Sequence, residues 1–336
     1  MPFLHKRRCQ SYAACLVLWV SFGAVIPAAV LAQDDGGLVH IFPQASPRKP
    51  GSASSQAGEP SFRSNAELVL VPVSVTDSMD RMVLGLEKDN FKVYENKQLQ
   101  TIQSISTEDA PISVGLILDT SGSMRTKVER TRQALMGFIR SANREDEFFL
   151  ITFSDSPIEK VDFTNSTELI ENALAFWTPS GRTALLDAIY LGLTKMRRGK
   201  YPRRALLIVS DGGDNHSRYS ESELRNLVKE SDVMVYAIGI YDHYFATEEE
   251  RLGPGLLEDV TEKSGGHTFT IEDPRDLSTA VNMIGLALRN LYVLCYRPTN
   301  TERDGRWHTI KVALARPKGF PQLHVHAKKG YYASPE

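Results

Sequence analysis

The sequence predicts an α/β fold: a doubly wound, mostly parallel sheet inserted into a small β-sandwich made by the segments on either side of it. Three observations predict this. Between residues 112 and 290, short apolar runs alternate with stretches of helical periodicity, the pattern of a parallel sheet with helices on both faces. Those runs are apolar throughout, as strands buried on both sides must be. The flanking stretches, 66–108 and 291–333, carry short β-branched and aromatic runs between turn signals. Neither flank is large enough to be stable alone, so each is expected to pair with the other.

Taken in order, residues 1–32 have the layout of a secretory signal. Lys6, Arg7 and Arg8 form a positive start, an apolar stretch runs from Tyr12 to about Val25, and Val30-Leu-Ala32 offers a cleavage site after Ala32. A retained signal anchor is the alternative reading, because the apolar stretch is long. No cysteine follows that stretch directly, so lipoprotein anchoring is not expected. No other run approaches the roughly 18 apolar residues that span a bilayer. Residues 33–65 are rich in Ser, Pro, Gly, Gln and Ala and read as a disordered linker.

The N-terminal flank, 66–108, has strand candidates at Leu68–Val75, Met82–Leu84, Phe91–Tyr94 and Gln100–Ile105, with Asn96-Lys97 as a hairpin turn. Pro72 marks its strand as irregular or at an edge. The central domain, 111–290, has expected strands at Ser113–Asp119, Phe148–Phe153, Ile158–Phe163, Ala205–Val209, Val233–Ile240 and His267–Thr270. Helices are expected near 127–142, 166–175, 183–195, 221–230, 256–264 and 276–289. The C-terminal flank, 291–333, has strands at Tyr292–Tyr296, His308–Leu314 and Leu323–His326.

Composition narrows the function classes. The 336 residues are 42% hydrophobic and 24% charged, with a net charge of −2. Without residues 1–32 there are 36 basic and 41 acidic residues, a net charge of −5. A mildly acidic protein gives no reason to expect nucleic acid or an anionic membrane as partner. Of three cysteines, Cys9 and Cys15 lie in the leader; Cys295 is left as a buried thiol with nothing in the mature chain to pair with.

The chemistry gathers in three segments. Asp119-Thr-Ser121-Gly-Ser123 follows the first strand of the central domain. Thr183 opens an expected helix. Asp211, followed by Gly212-Gly213, ends a later strand. In an open α/β sheet, ligands bind outside the carboxyl ends of the strands, where these segments would converge. Two carboxylates and three hydroxyls supply only oxygen, which suits a hard cation such as Mg²⁺ and leaves a coordination position for water or for a partner's carboxylate. Each piece also has a plainer reading. Ser121 and Ser123 could cap the next helix, Thr183 could cap its own, and Asp211-Gly could be a turn. All three in order favour the metal site.

These five residues resemble the metal-ion-dependent adhesion site of von Willebrand factor type A domains: Asp-x-Ser-x-Ser, then a Thr, then an Asp at a later strand end. The resemblance covers about residues 111–290. It implies that the serines contact the metal directly, that Thr183 and the aspartates bind directly or through water, and that a partner's acidic side chain completes the shell. The leader and the flanks also resemble a bacterial secreted family of related proteins best represented in Acidobacteria, through Val-Thr-Asp near residue 75, Asp89-x-Phe91-x-Val-Tyr-Glu95 and Lys329-Gly-Tyr331-Tyr.

Other patterns carry less. Asp119-Thr-Ser-Gly is near the Asp-Thr-Gly of aspartic proteases, but Ser121 intervenes and the context is βα. No P-loop or dinucleotide fingerprint occurs. The eight histidines show no metal-ligand spacing, and His324 and His326 are expected to face solvent. Arg303-Asp-Gly305 is not the Arg-Gly-Asp order of integrin ligands. No Ser-His-Asp arrangement suggests a hydrolase. The loops 212–218 and 241–254 are expected to flank the metal and are candidates for setting specificity, although the second reads equally well as an ordinary solvated loop. The sequence therefore predicts a secreted or periplasmic, non-enzymatic adhesion or protein-binding module. Its Mg²⁺ (or Mn²⁺ or Ca²⁺) captures an Asp or Glu of a protein partner. The alternative is a structural or chaperone-like component of a cell-envelope assembly, in which the metal only stabilises the fold.

Overall fold

A computed structural model describes residues 38–40, 68–107, 109–241, 248–302, 304–315 and 322–333 of the chain. The expected signal, 1–32, and most of the expected linker lie outside the described residues. The N-terminal flank forms β1 (Leu38–His40), β2 (Val69–Thr76), β3 (Met82–Leu84), β4 (Phe91–Glu95), β5 (Gln98–Gln100) and β6 (Ile102–Ser106). Two differences from the sequence reading stand out. Residues 38–40, expected to be part of a disordered linker, pair in parallel with β3. The strand expected over 100–105 breaks into β5 and β6 because each half joins a different sheet. Asn96 and Lys97 turn between β4 and β5 with φ of 47° and 69°, the left-handed pair that a two-residue hairpin needs.

The central domain runs β7 (Ser113–Asp119), α1 (Val128–Ser141), β8 (Glu147–Phe153), β9 (Pro157–Thr164), α2 (Thr167–Ala175), α3 (Leu185–Met196), β10 (Arg204–Ser210), α4 (Glu221–Glu230), β11 (Met234–Ile240), α5 (Glu248–Ser264), β12 (Thr268–Ile271) and α6 (Leu277–Arg289). The sheet order is β12-β11-β10-β7-β8-β9, parallel except for β9. Alternate residues of β7 face opposite layers. Val114, Leu116 and Leu118 pack with Leu135 and Phe138 of α1, Ile170 of α2 and Ile284 of α6. Ile117, on the other face, packs with Leu185 and Ile189 of α3, Leu224 of α4 and Leu257 of α5. The sheet is thus covered on both faces, which is why its strands are apolar throughout. From β7 the chain proceeds outward to β8 and then returns to β10 on β7's other side. The carboxyl ends of β7 and β10 therefore flank the topological switch point.

Two helices start away from their expected positions. α5 begins at Glu248 rather than near Leu256, with Pro254 inside it. The Gly253-Pro254 pair reads locally as a breaker. Gly253 packs directly on Gly212, where a Cβ on either residue would come within 2.8 Å of the other's backbone. α3 begins at Leu185 with Ala184 as its N-cap, so Thr183 precedes the helix rather than opening it.

The chain then forms β13 (Tyr292–Tyr296), β14 (Trp307–Leu314), β15 (His324–Ala327) and β16 (Gly330–Tyr332). β13 inserts between β2 and β6, and β15 adds to the other side of β2. A second sheet has the order β16-β14-β4-β5. The two sheets share one core, with Val71, Val73, Tyr292 and Leu294 from the first and Phe91, Val93 and Ile310 from the second. Only β13 pairs with the first half of β2, so Pro72 lies on a local edge where its missing N–H costs nothing. A buried polar cluster ties the sheets together. The Glu95 carboxylate accepts from Tyr296 at 2.6 Å and from Tyr331 at 3.2 Å, and its other oxygen lies 3.1 Å from His308 Nδ1. Glu95 and Tyr331 belong to two of the three flank motifs that the sequence singles out. Cys295 is buried and free.

Candidate metal centre

Asp119 is the last residue of β7 and Asp211 follows β10 directly. Backbone bonds tie the three segments together. Ser180 N–H donates to Thr120 O at 2.8 Å and Gly122 N–H to Gly181 O at 3.2 Å, which joins the first segment to the second. Asn215 and His216 N–H both donate to Thr183 O, and Thr183 N–H donates to Asn215 Oδ1 at 3.0 Å, which joins the second to the third. Ser210 Oγ donates to Asp119 Oδ2 at 2.6 Å and closes the ring between the third and the first. All five residues marked by the sequence therefore sit at one edge of the sheet.

The capping readings do not survive this geometry. Ser121 precedes a short 3₁₀ turn, Gly122–Thr126, but its side chain makes no cap bond, and α1 starts only at Val128. The serine hydroxyls instead face each other, with Ser121 Oγ and Ser123 Oγ 3.0 Å apart. Asp119 Oδ1 accepts from Ser121 N–H at 2.8 Å, and this bond bends the loop so that the Ser121 hydroxyl lies beside the carboxylate. Asp187, at the start of α3, is occupied elsewhere and accepts from Arg218 and Tyr219 N–H.

The electrostatics are strained. Asp119 is 0% exposed and Asp211 2%. Burial first, and then the charge of Asp211, push the Asp119 carboxyl up to about 7 from the ordinary 3.8. Lys127 reaches the pair from below: Nζ lies 3.5 Å from Asp211 Oδ2 and donates to Ile240 O at 2.9 Å. The Tyr241 hydroxyl, buried near Asp211, has no hydrogen-bond partner among the described residues, and burial and the Asp211 charge raise its pKa. Two buried carboxylates under mutual repulsion, with the Ser121 hydroxyl on Asp119 and Ser123 Oγ beside it, fit the donor set of a hard divalent cation, and the backbone bonds of Thr183 hold its segment to the same edge. Among the described residues no three His, Cys, Asp or Glu side chains gather into a metal site. A cation at this edge therefore depends on the hydroxyls as well as on the two carboxylates.

The rim is polar. Arg182, next to Thr183, donates to Asp155 Oδ1 at 3.1 Å and contacts His216 Nε2 at 2.9 Å. The loop 212–218 thus borders the site. Of the loop 241–254, residues 242–247 lie outside the described residues, and Gly253 touches Gly212. Sequence reasoning missed Ser210 and Lys127. Ser210 had a signal in its place directly before Asp211. Lys127 reads as an ordinary first-turn cation, and only the packing shows its ammonium turned inward.

An uncharacterized protein of Borreliella burgdorferi is 21% identical over 196 residues, which cover 51% of this chain and 57% of that protein. Inter-alpha-trypsin inhibitor heavy chain H4 of Sus scrofa is 26% identical over 132 residues, 36% of this chain and 14% of that protein. The chain thus matches little more than half the length of the first and a small part of the second. Among solved structures, a von Willebrand factor type A protein from Catenulispora acidiphila has 11% identity and a TM-score of 0.48, covering 82% of this chain and 75% of that one. The sequence pattern of the von Willebrand factor type A domain matches residues 113–282, half of the chain and the whole stretch from β7 into α6 that builds the edge described above. The chain belongs to the von Willebrand factor type A domain family.

Proposed function

We propose that the chain is a secreted or periplasmic, non-enzymatic protein-binding module that uses a divalent cation, Mg²⁺ first, to capture an Asp or Glu of a protein partner. Asp119, Ser121, Ser123, Thr183 and Asp211 would hold the cation. When bound, the cation supplies a positive centre with a coordination position for an outside oxygen. The observation that carries the reading is the meeting of two buried, mutually repelling carboxylates with the Ser121 and Ser123 hydroxyls and the Thr183 segment at the switch point of the sheet. The site is graded in depth, because the carboxylates are buried while Ser123 is exposed. A partner would therefore approach from the Ser123 side, past Arg182 and His216. The charged start and apolar stretch of residues 1–32 support export. Among the described residues no helix is long and apolar enough to cross a membrane.

Titration calorimetry with Mg²⁺ and Mn²⁺ on the wild type and Asp119→Ala tests the metal. Binding by the wild type alone is expected, and equal behaviour of the two would sink the reading. Capture of envelope proteins with Mg²⁺ or with EDTA tests the partner. The burial of Asp119 and Asp211 also favours a second reading, in which the cation serves as a structural staple. A large Mg²⁺-dependent rise in melting temperature, with capture unchanged by EDTA, would select that reading.

A further inference from the structure

Lys127 is 8% exposed and lies between the 3₁₀ turn and α1, where its side chain caps neither. Its ammonium runs inward to the end of β11. Its shorter contact is with a neutral group, Ile240 O at 2.9 Å, while Asp211 Oδ2 lies at 3.5 Å. The positive charge is therefore held beside the carboxylate pair by a carbonyl and is not consumed in a tight ion pair. Ile240 O gives it a fixed position, so it cannot swing out to solvent without leaving that carbonyl unpaired.

Counting charges shows the consequence. Asp119 and Asp211 bring two negative charges and Lys127 one positive. A divalent cation added to these leaves the buried edge with one net positive charge, and one carboxylate from outside cancels it. Without the lysine, the cation alone would balance the two aspartates, and an outside carboxylate would then bring an excess negative charge. In a water-poor site uncompensated charge is expensive, so the balanced state is the favoured one.

We propose that Lys127 sets the charge balance of the site so that metal and an anionic partner are captured together: the cation binds weakly alone and tightly once a carboxylate arrives. Lys127 is on this view a positioning charge that selects acidic partners without touching them. The inference rests on the metal reading above and deepens it.

The test is a Mn²⁺ titration of the full chain at matched ionic strength, in chloride and in acetate, followed by calorimetry or by Mn²⁺ electron paramagnetic resonance. Lys127→Gln removes the charge and keeps a donor for Ile240 O, Lys127→Met removes both, and Lys127→Arg keeps the charge. For the wild type, acetate should tighten Mn²⁺ binding. In chloride, Gln and Met at this position should each bind Mn²⁺ about tenfold more tightly, the scale of losing one charge near a divalent ion in a partly screened site. For both, the gain from acetate should vanish, while the Arg variant should keep it. Charge-removing variants that bind Mn²⁺ no more tightly than the wild type, or that gain equally from acetate, would overturn the inference and leave the metal reading standing, provided that Asp119→Ala still loses Mn²⁺. Equal Mn²⁺ binding by the wild type and Asp119→Ala would remove both. Melting curves of each variant without metal separate a folding defect from a binding effect, and Gln and Met fail for different reasons if either fails.

Discussion

The stability of Asp119 depends on what stands beside it. Its folded carboxyl sits at about 7, above the ordinary 3.8, because it is buried and faces Asp211. A raised carboxyl is a cost that is absent where both states are protonated and grows as pH rises from about 4 to about 7. For the metal-free protein that cost is on the order of 4 kcal/mol at neutral pH. Melting in EDTA should therefore show Asp119→Asn gaining on the wild type between pH 5 and pH 7.5. Mg²⁺ should reverse the order at pH 7.5, because the cation stabilises the ionised pair and the amide removes a ligand. Tyr296 offers a second residue-scale test. Its hydroxyl donates to the buried Glu95 at 2.6 Å. Tyr296→Phe takes one donor from a buried carboxylate and should cost about 1–3 kcal/mol in urea unfolding, with Mg²⁺ binding unchanged.

At the scale of elements, the loop after β10 and the start of α5 are one unit. Gly212 has φ of 77°, and a Cβ there would meet the Gly253 backbone at 2.8 Å. Gly212→Ala thus combines a left-handed alanine with a backbone clash, a cost of about 1–3 kcal/mol. It should also weaken Mn²⁺ binding, because relieving the clash moves Asp211, the adjacent residue. Unfolding and titration of the same variant check both outcomes. A loss of stability without a loss of Mn²⁺ affinity would show that Asp211 is placed by β10 alone.

Over the whole molecule, the α/β part and the sandwich meet at a histidine junction. His267, beside β12, and His326, in β15, lie with ring centroids 4.7 Å apart. His326 Nε2 is 3.2 Å from Thr76 Oγ1, and His267 Nε2 is 3.4 Å from Asp80 Oδ1. His326, expected to face solvent, is instead turned into this junction, and burial and then the His267 charge push its pKa down to about 4. Asp80 acts in the opposite direction, while His324 and Lys329 add to the lowering. A depressed histidine costs nothing above about pH 6.5, and the cost grows as pH falls toward 4, to about 3 kcal/mol at most. The wild type should therefore lose melting temperature between pH 7 and pH 4.5 more steeply than His326→Gln. Parallel slopes would show that the junction does not sense the proton.

Much of this architecture is legible in the sequence. Apolar runs such as those ending at Asp119 and Val209 declare buried strands, and the period of residues 127–142 declares a helix, because burial patterns are local consequences of which side faces the core. Asp119, Ser121, Ser123, Thr183 and Asp211 were likewise visible as a spaced set of oxygens. What the sequence by itself could not decide was anything that depends on two distant segments meeting. The packing of Gly253 on Gly212 is one such meeting, and the turning of half-buried His326 onto His267 is another. The roles of Ser210 and Lys127 depend on which carboxylate each reaches. Local propensity and periodicity determine elements. The charge and contacts of a site are set by the neighbours that the sheet order brings to it, and only the tertiary structure supplies that order.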